Sequence, residues 1–216
     1  KNNLLKSIKY GKSKNYDDIL TVWNQQLSEV GAKIIFERSK IINHLSSIAK
    51  NKHLKIAEKS AEREENLKIL YNSGISREII EEYKPEKIKN ELFYLLESKS
   101  EREIEREMTL YGPHRDDIDF KLDDKDMKKF SSQGQKRTAV LSLKLAELEL
   151  LKEITGRKPI FLLDDVFSEL DDKRQKAFLG EINNVQTFIS CVDIDSFKYN
   201  KNNSTLFEIK NGSIVL

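Results

Sequence analysis

The sequence predicts an α/β protein whose first half is mainly helical, and three observations lead to this fold class. Apolar residues recur at helical spacing from Tyr16 to Lys50. In the second half, short apolar runs alternate with helical patterns, and the order strand, helix, strand, helix, strand is typical of an α/β sheet. The chain has 216 residues, of which 38% are hydrophobic, so it can bury a substantial core. A change of period near residue 109 predicts a mainly helical domain over 1–109 and a mixed domain over 110–216.

The first half is predicted to contain one long helix. Its apolar positions are separated by steps of three, four or seven residues, which places them on one face and predicts that this face is buried. These positions are Ile19, Trp23, Leu27, Val30, Ile34, Ile41, Leu45 and Ile48. Leu54, Ala57 and Ala61 either continue this helix or begin a returning one.

A strand and further helices complete the first half. Alternating apolar residues over 67–71 predict a short strand that stops at the Asn-Ser-Gly turn signal of 72–74. Helices are expected to open near Ser76 and at Pro85, since proline is favoured in the first helical turn. The mostly charged segment 101–107 predicts a solvent-exposed helix face.

The second half is predicted to alternate strands with helices. Residues 117–122 alternate as a half-buried strand does, a hairpin turn follows over 123–126, and 127–130 is expected to return as a strand. The pattern over 135–154 predicts a helix with too many apolar positions for one narrow stripe, so it should be buried on more than one side. Gly156 is expected to end that helix.

The last part is predicted to contribute a parallel sheet. The continuous apolar run over 160–163 suits a central strand that is buried on both faces. The remaining predicted elements are a helix from Asp171 or Asp172 through Leu179, a strand at Phe188-Ile189, and a closing hairpin of 205–209 and 213–216 about Asn211-Gly212.

Composition and charge limit the classes of function. Charged residues make up 34% of the chain but nearly cancel to a net +2, which favours salt-bridged helices over a disordered polyelectrolyte. A local basic face for nucleic acid is neither required nor excluded by this balance. The single cysteine, Cys191, is predicted to be a buried, reduced thiol, consistent with a cytoplasmic protein. No run approaches the length of a membrane span, and there is no secretory signal pattern.

Two carboxylates end the apolar run of the predicted central strand. Asp164 and Asp165 follow Phe-Leu-Leu at 161–163, and ligands bind at the carboxyl edge of open α/β sheets. One carboxylate there could hold a magnesium ion, and the other could orient the water that attacks a γ-phosphate. The alternative is that both residues only cap the following turn.

The segment before the long second-half helix has the features of an anion site. In Ser132-Gln133-Gly134-Gln135, the glycine allows close backbone approach, the Ser132 hydroxyl can donate to a phosphate, and the helix N-terminus favours an anion. Lys136 and Arg137 add positive charge in the same first turn, where it opposes the helix dipole unless an anion neutralises it. An ordinary serine-capped helix is the alternative.

Together these motifs resemble those of a known family. Ser-Gln-Gly-Gln-Lys-Arg-Thr at 132–138 is similar to the variant signature motif of ABC-type ATPases, 161–165 resembles Walker B, and Ser-Glu-Leu-Asp at 168–171 resembles the D-loop. Tyr-Gly-Pro-His-Arg-Asp-Asp at 111–117 is the most specific element. With these motifs the chain resembles the RecF family of bacterial SMC-like ATPases through essentially its whole length, including 22–27.

The resemblance implies a partial ABC/SMC-type ATPase head with an inserted helical lever-arm subdomain. In such ATPases two heads sandwich ATP, so Ser132, Gln133, Gly134 and Gln135 would contact, in trans, the nucleotide of the other head. Asp164 would hold Mg²⁺, Asp165 would take the catalytic position usually filled by glutamate, and Ser168 and Asp171 would couple the heads through the D-loop. Ser190 falls where a switch histidine is common, and Lys136, Arg137 and Arg115 are possible accessory residues.

The phosphate-binding loop of such ATPases is not found in this sequence. No G-x-x-x-x-G-K-[ST] motif occurs, and Gly11-Lys12-Ser13 lacks both the first glycine and a preceding apolar strand, so it is predicted to be a loop. Members of the family carry this loop near their own N-terminus, so the chain is expected to be part of a longer protein. By itself it is expected neither to bind ATP appreciably nor to hydrolyse it.

The resemblance also implies partners. Proteins of this family act at junctions of single- and double-stranded DNA and help load recombinase with RecR-type and RecO-type partners, and ATP closes them into homodimers. DNA affinity would come from lysines and arginines and would be weakly sequence-specific; 1–14 and 121–136 are lysine-rich candidates. Arg115 could position nucleotide, the signature or DNA, or it could simply pair with Asp116 or Asp117. Alternative functions are the head of another SMC-like ATPase and a non-catalytic helical protein-interaction module.

Overall fold

The structure is a computed structural model that describes residues 1–11, 16–57, 65–166, 170–182, 184–192 and 204–215. Its helices over these residues are α1 (Asn2–Lys9), α2 (Asp17–Ala57), α3 (Arg77–Glu81), α4 (Pro85–Ser98), α5 (Ser100–Arg106), α6 (Met127–Phe130), α7 (Gln133–Thr155) and α8 (Asp172–Ile182). Its strands are β1 (Leu67–Asn72), β2 (Asp117–Leu122), β3 (Lys125–Asp126), β4 (Phe161–Asp164), β5 (Thr187–Ser190), β6 (Glu208–Lys210) and β7 (Ser213–Val215). None of the described helices combines the length and the apolar character that a membrane span requires.

The chain forms two compact units that do not divide at residue 109. The first unit contains Lys1–Ser47 and Leu67–Phe130, and the second contains Ile48–Asn66 and Ser131–Leu216. The reason is a long-range strand pairing: β1 runs antiparallel to β2, with Leu67 opposite Leu122, and β3 adds to β2. Because of this pairing, β2 and β3 belong to the first unit. The local sequence pattern could not show this, since it reveals strands but not which distant strand they pair with.

Helices α2, α3 and α4 enclose the core of the first unit. Its buried apolar residues are Ala32, Ile35, Ile75, Ile80, Ile88, Leu92 and Leu96. Helices α2 and α4 approach closely at Gly31, where a Cβ atom would lie 2.7 Å from Cδ2 of Leu92. Pro85 occupies the first turn of α4, as predicted.

The apolar stripe predicted along α2 is not the buried face over most of its length. Trp23 is 42% exposed and Val30 is 57% exposed, whereas Ile35 is only 1% exposed. The exposed positions, which we call the outer stripe, are Ile19, Trp23, Leu27, Val30, Ile34 and Ile41. The prediction was wrong because the buried face, one residue further along, includes small and polar residues. Asn24, for example, is fully buried and donates from Nδ2 to Oε1 of Glu97 at 2.9 Å.

Two other elements of the first unit differ from prediction. Residues 127–130 form α6 rather than a strand, because Oδ1 of Asp126 accepts from the backbone N–H of Lys128 at 2.7 Å and so caps a helical turn. The charged helix α5 is not wholly solvated, because Glu103 is fully buried. Its carboxylate accepts from Nζ of Lys1 at 2.5 Å and from the backbone N–H of Leu110 at 2.7 Å. Burial lowers the pKa of the Lys1 side chain despite this ion pair.

The second unit contains the predicted parallel strands, but the prediction that β4 is buried on both faces was wrong, because Leu162 is 72% exposed while Phe161 and Leu163 are buried. Strands β4 and β5 pair in parallel, with Phe161 opposite Thr187 and Asp164 opposite Ser190. Their buried residues join those of the surrounding helices in one core, which comprises Ile56, Leu141, Leu145, Phe161, Leu163, Leu170, Ala177, Phe178 and Ile182. Gly156 ends α7 with a φ of 66°, and β6 and β7 form the predicted hairpin about residues 211 and 212.

The prediction that Cys191 is buried was wrong. Strand β5 ends at Ser190, so the cysteine lies just beyond the paired backbone and its thiol is exposed.

Candidate functional site

The turn at Ser132–Gln135 is a complete capping box that opens the 23-residue helix α7. The Ser132 hydroxyl accepts from the backbone N–H of Gln135 at 3.2 Å, and the backbone N–H of Ser132 donates to Oε1 of Gln135 at 2.9 Å. Ser132 and Gln133 are exposed at this turn, and Gly134 is half-buried. The helix start therefore presents an ordered backbone and a serine hydroxyl to solvent, which is an arrangement suited to an anion.

Gln135 is not presented to solvent in the way that Ser132 is. Its side-chain nitrogen Nε2 donates to Oε1 of Glu65 at 2.7 Å, and Glu65 is only 6% exposed. Both functional atoms of the Gln135 amide are thus engaged within the protein. In this structure the Gln135 side chain holds the turn in place.

Arg174 covers Gly134 and was not anticipated from the sequence. A Cβ atom at position 134 would lie 2.5 Å from Nη1 of Arg174, so only glycine leaves room for the guanidinium group as it stands. Arg174 also lies against Asp171, with 3.5 Å between Nε and Oδ2, and its backbone N–H donates to Oδ1 of Asp171 at 2.9 Å. The sequence feature that could have indicated the contact between Asp171 and Arg174 is their spacing of three residues at the start of a helix.

These contacts connect two motifs of the second unit. Gly134 belongs to the signature-like turn, whereas Asp171 belongs to the D-loop-like segment, and Arg174 contacts both. Ser168, the other predicted D-loop residue, lies outside the described residues. Lys136 and Arg137 are half-buried in the first turn of α7.

Asp164 and Asp165 lie where β4 leaves the sheet, and both are exposed. Asp164 is opposite Ser190 in the parallel pair, and the Ser190 hydroxyl donates to Oδ1 of Asp164. The backbone N–H of Asp165 donates to the Ser190 carbonyl at 3.2 Å. The structure thus brings together three residues that the sequence predicts for one site.

Asp165 has a left-handed backbone, with a φ of 47°. A residue other than glycine in this region is under mild strain, and such strain is concentrated at functional sites.

The donors at this edge fit a magnesium ion. Asp164 and Ser190 offer oxygen atoms, and Mg²⁺ bound with phosphates needs only one or two protein carboxylates because waters and phosphate oxygens complete its shell. Over the described ranges of the chain, no group of three or more His, Cys, Asp or Glu side chains is arranged to hold a metal by itself. Asp164 is the residue that would ligate the ion.

Arg115 belongs to the first unit and holds a loop. Its Nε and Nη2 atoms both donate to the carbonyl oxygen of Thr109 at 3.2 Å, so it does not pair with Asp116 or Asp117 as one interpretation expected. Asp116 instead accepts from the hydroxyl of Tyr71. Burial raises the pKa of Asp116, and burial together with this carboxylate raises the pKa of Tyr71.

Comparisons with known proteins connect these motifs to one family. The chain is 43% identical over 198 residues to the DNA replication and repair protein RecF of Acetivibrio thermocellus, covering 92% of this chain and 52% of that protein. It is 41% identical to the RecF of Staphylococcus carnosus, covering 100% of this chain and 57% of that protein. No protein-family model matches.

The solved structures that resemble this chain are also RecF proteins. A structure of the recombination mediator protein RecF-ATPrS in the RecFOR pathway matches with a TM-score of 0.77 and 36% identity, covering 99% of this chain and 54% of that one. A RecF-ATP structure from the same pathway matches with a TM-score of 0.76. The chain is therefore a homologue of RecF, an ABC/SMC-like ATPase, and it spans about half of the length of the RecF proteins that it matches.

Proposed function

We propose that this chain is the part of a RecF-type DNA repair protein that closes on an ATP molecule bound by a second head. The observation that carries the proposal is the Ser132–Gly134 turn, which is exposed at Ser132 and Gln133 and is held by a capping box at the start of a long helix. The relatives are RecF proteins, and the matched solved structures are described as RecF-ATP and RecF-ATPrS. A turn of this kind donates hydrogen bonds to phosphate oxygens through its backbone and its serine hydroxyl.

The residues of the turn divide into two roles. Ser132, Gln133 and Gly134 contact the γ-phosphate of the nucleotide in trans. Gln135 fixes their geometry, because its amide is engaged by Ser132 and Glu65. Lys136 and Arg137 supply positive charge in the same turn, which an incoming phosphate offsets.

The sheet edge contributes the hydrolytic residues of the nucleotide site on its own head. Asp164 would hold Mg²⁺, and a magnesium ion there would supply positive charge to offset that of the phosphates. Asp165 accepts a hydrogen bond from the attacking water and orients it, and Ser190 holds the Asp164 carboxylate by donating to Oδ1. Asp171, with Ser168, couples the two heads. Because aspartate is one methylene shorter than the usual glutamate, hydrolysis is slow.

ATP-driven closure of two heads creates a DNA-gripping surface in this proposal. The complete protein is a cytoplasmic homodimer when ATP is bound, works at junctions of single- and double-stranded DNA, and helps load recombinase with RecR-type and RecO-type partners. Lysines and arginines on phosphates provide the affinity, so DNA binding falls steeply as salt rises and depends little on sequence. The support for this step is the RecF name of the relatives and the RecFOR pathway of the matched structures.

The trans role can be tested with this chain as it stands. A trace amount of the chain, labelled at its N-terminus, is mixed with excess full-length RecF of Acetivibrio thermocellus, and its sedimentation is measured with and without ATPγS and Mg²⁺. We expect the labelled chain to sediment with its relative only when nucleotide is present, because the relative supplies the phosphate loop. Calorimetry of the chain alone with ATP should show no micromolar binding, since the chain has no phosphate-loop motif.

A matched pair of variants makes the test specific. Gln133→Glu places a carboxylate at an exposed position of the turn, and it should abolish nucleotide-dependent association. Gln26→Glu is the control, because Gln26 is also a helical and exposed glutamine. Association that does not require nucleotide, or that the two variants weaken equally, would contradict the trans role.

A further inference from the structure

A buried histidine and glutamate lie behind the signature-like turn in the second unit. His53, on α2, is fully buried, and its Nε2 atom lies 3.1 Å from Oε2 of Glu65. A carboxylate oxygen only accepts hydrogen bonds, so Nε2 of His53 carries the proton and donates it. This contact anchors one oxygen of Glu65 to a residue of the long helix.

The second oxygen of Glu65 holds the turn. Oε1 accepts from Nε2 of Gln135 at 2.7 Å, and Oε1 of Gln135 accepts from the backbone N–H of Ser132 at 2.9 Å. A continuous series of hydrogen bonds therefore runs from buried His53 to the exposed first residue of the turn. The two ends of the Gln135 amide have different partners, so the amide has only one orientation that satisfies both.

The far side of the histidine faces α7. Nδ1 of His53 lies 3.4 Å from the hydroxyl of Ser142, which donates to the carbonyl oxygen of Thr138 at 2.7 Å. Thr138 and Ser142 lie in α7, one and two turns beyond the signature-like turn. The histidine thus contacts α7 directly at Ser142, and it is connected through Glu65 to Gln135 in the first turn of that helix.

We propose that Glu65 and His53 are positioning residues that hold the Ser132–Gln135 turn in the geometry that receives a phosphate. The physical reason is that helix ends fray readily, and a buried carboxylate that accepts hydrogen bonds from both His53 and Gln135 restrains this one. The positioning follows from the contacts alone, whereas its consequence for nucleotide rests on the proposed function. Neither residue belongs to a motif of the sequence, so the pattern of the chain does not point to them.

Amide hydrogen exchange in the chain tests the positioning. Glu65→Ala should speed exchange of the Ser132 amide about five-fold, the loss expected when one hydrogen bond no longer has an ordered acceptor. Exchange of Leu145 and Ala146 amides, in the middle of α7, should be unchanged. Glu147→Ala is the matched control, because Glu147 is an exposed glutamate of α7 bonded to Lys144.

A conservative variant and an independent variant keep the test decisive. Glu65→Gln retains an oxygen for Gln135 and should preserve most of the protection of the Ser132 amide. Gln135→Ala removes the acceptor of the Ser132 amide itself, so adding Glu65→Ala to Gln135→Ala should not speed exchange at Ser132 any further. An unchanged Ser132 amide in both single variants, or equal acceleration along all of α7, would overturn the proposal.

The functional consequence is read in the sedimentation assay with full-length RecF and ATPγS. Glu65→Ala should weaken nucleotide-dependent association at least about five-fold, and Glu147→Ala should leave it unchanged. If the unaltered chain never associates, the proposed trans function is wrong, and the exchange measurements alone decide the positioning. If association is normal in Glu65→Ala despite faster exchange, the turn does not need this support and the inference is wrong.

Discussion

Gly134 and Arg174 illustrate how one side chain can set the identity of its neighbour. The guanidinium group lies so close that a Cβ at position 134 would contact Nη1 at 2.5 Å. Arg174 is held there by Asp171, and its side chain is only 19% exposed. Glycine at position 134 thus allows close packing against this guanidinium group.

The pairing of Gly134 with Arg174 predicts a coupling between the two positions. In an Arg174→Ala background, Gly134→Ala should stabilise the chain by about 0.5 kcal/mol, since alanine is the better helix former. With Arg174 present, the same change should give no gain or a small loss, because the guanidinium must move. Urea unfolding of the four proteins in a double-mutant cycle measures the difference. Equal effects of Gly134→Ala in both backgrounds would show that the contact has no energetic consequence.

At the scale of elements, α2 carries two adjacent apolar faces, and only one of them is covered in the described structure. The outer stripe is exposed, while the neighbouring face packs on α4 around Ile35 and Leu92. A search of the sequence for large apolar residues selects the outer stripe as the buried face, because the residues of the other face are smaller. Burial favours the other face because Gly31 and Ala32 allow α4 to approach closely.

Adjacent isoleucines on α2 provide a direct measurement of this difference. Ile35→Ala should lower the free energy of unfolding by about 2–4 kcal/mol, because it removes buried methyl groups and leaves a cavity. Ile34→Ala should cost less than about 1 kcal/mol, since Ile34 is 39% exposed. Both changes have the same effect on helix propensity, so each controls for the other. Equal costs, measured by urea unfolding, would mean that the outer stripe is core after all.

At the scale of the whole molecule, sequence reasoning succeeds where the signal is local. The parallel strands and the length of α7 follow from apolar runs and capping residues. It does not find contacts between distant segments, such as Gln135 with Glu65, which are 70 residues apart. The sequence pattern also cannot show which of two apolar faces of one helix is buried, because that depends on which face a neighbouring helix contacts.

Acid should destabilise the second unit through Glu181, which joins two of its helices. Burial opposes ionisation of Glu181, but hydrogen bonds from Lys52 and Lys55 outweigh it and lower the pKa below its ordinary value of 4.5. A carboxyl group with a lowered pKa stabilises the folded state above its unfolded pKa, and this stabilisation is lost as the pH falls through the folded pKa.

We therefore expect Glu181→Gln to be less stable than the unaltered chain at pH 7 and the difference to shrink below about pH 4.5. Urea unfolding followed by circular dichroism at several pH values measures it. Glu101→Gln, at an exposed glutamate of α5, should retain the pH dependence of the unaltered chain. The opposite trend, a difference that grows as the pH falls, would mean that burial disfavours the ionised form of Glu181 more than the two lysines favour it.

Lys52 also lies 2.7 Å from Glu149 of α7, so the same ammonium group links α2 to both α7 and α8. The loss in acid should therefore appear first in the end of α2 that belongs to this unit, where His53 supports the signature-like turn.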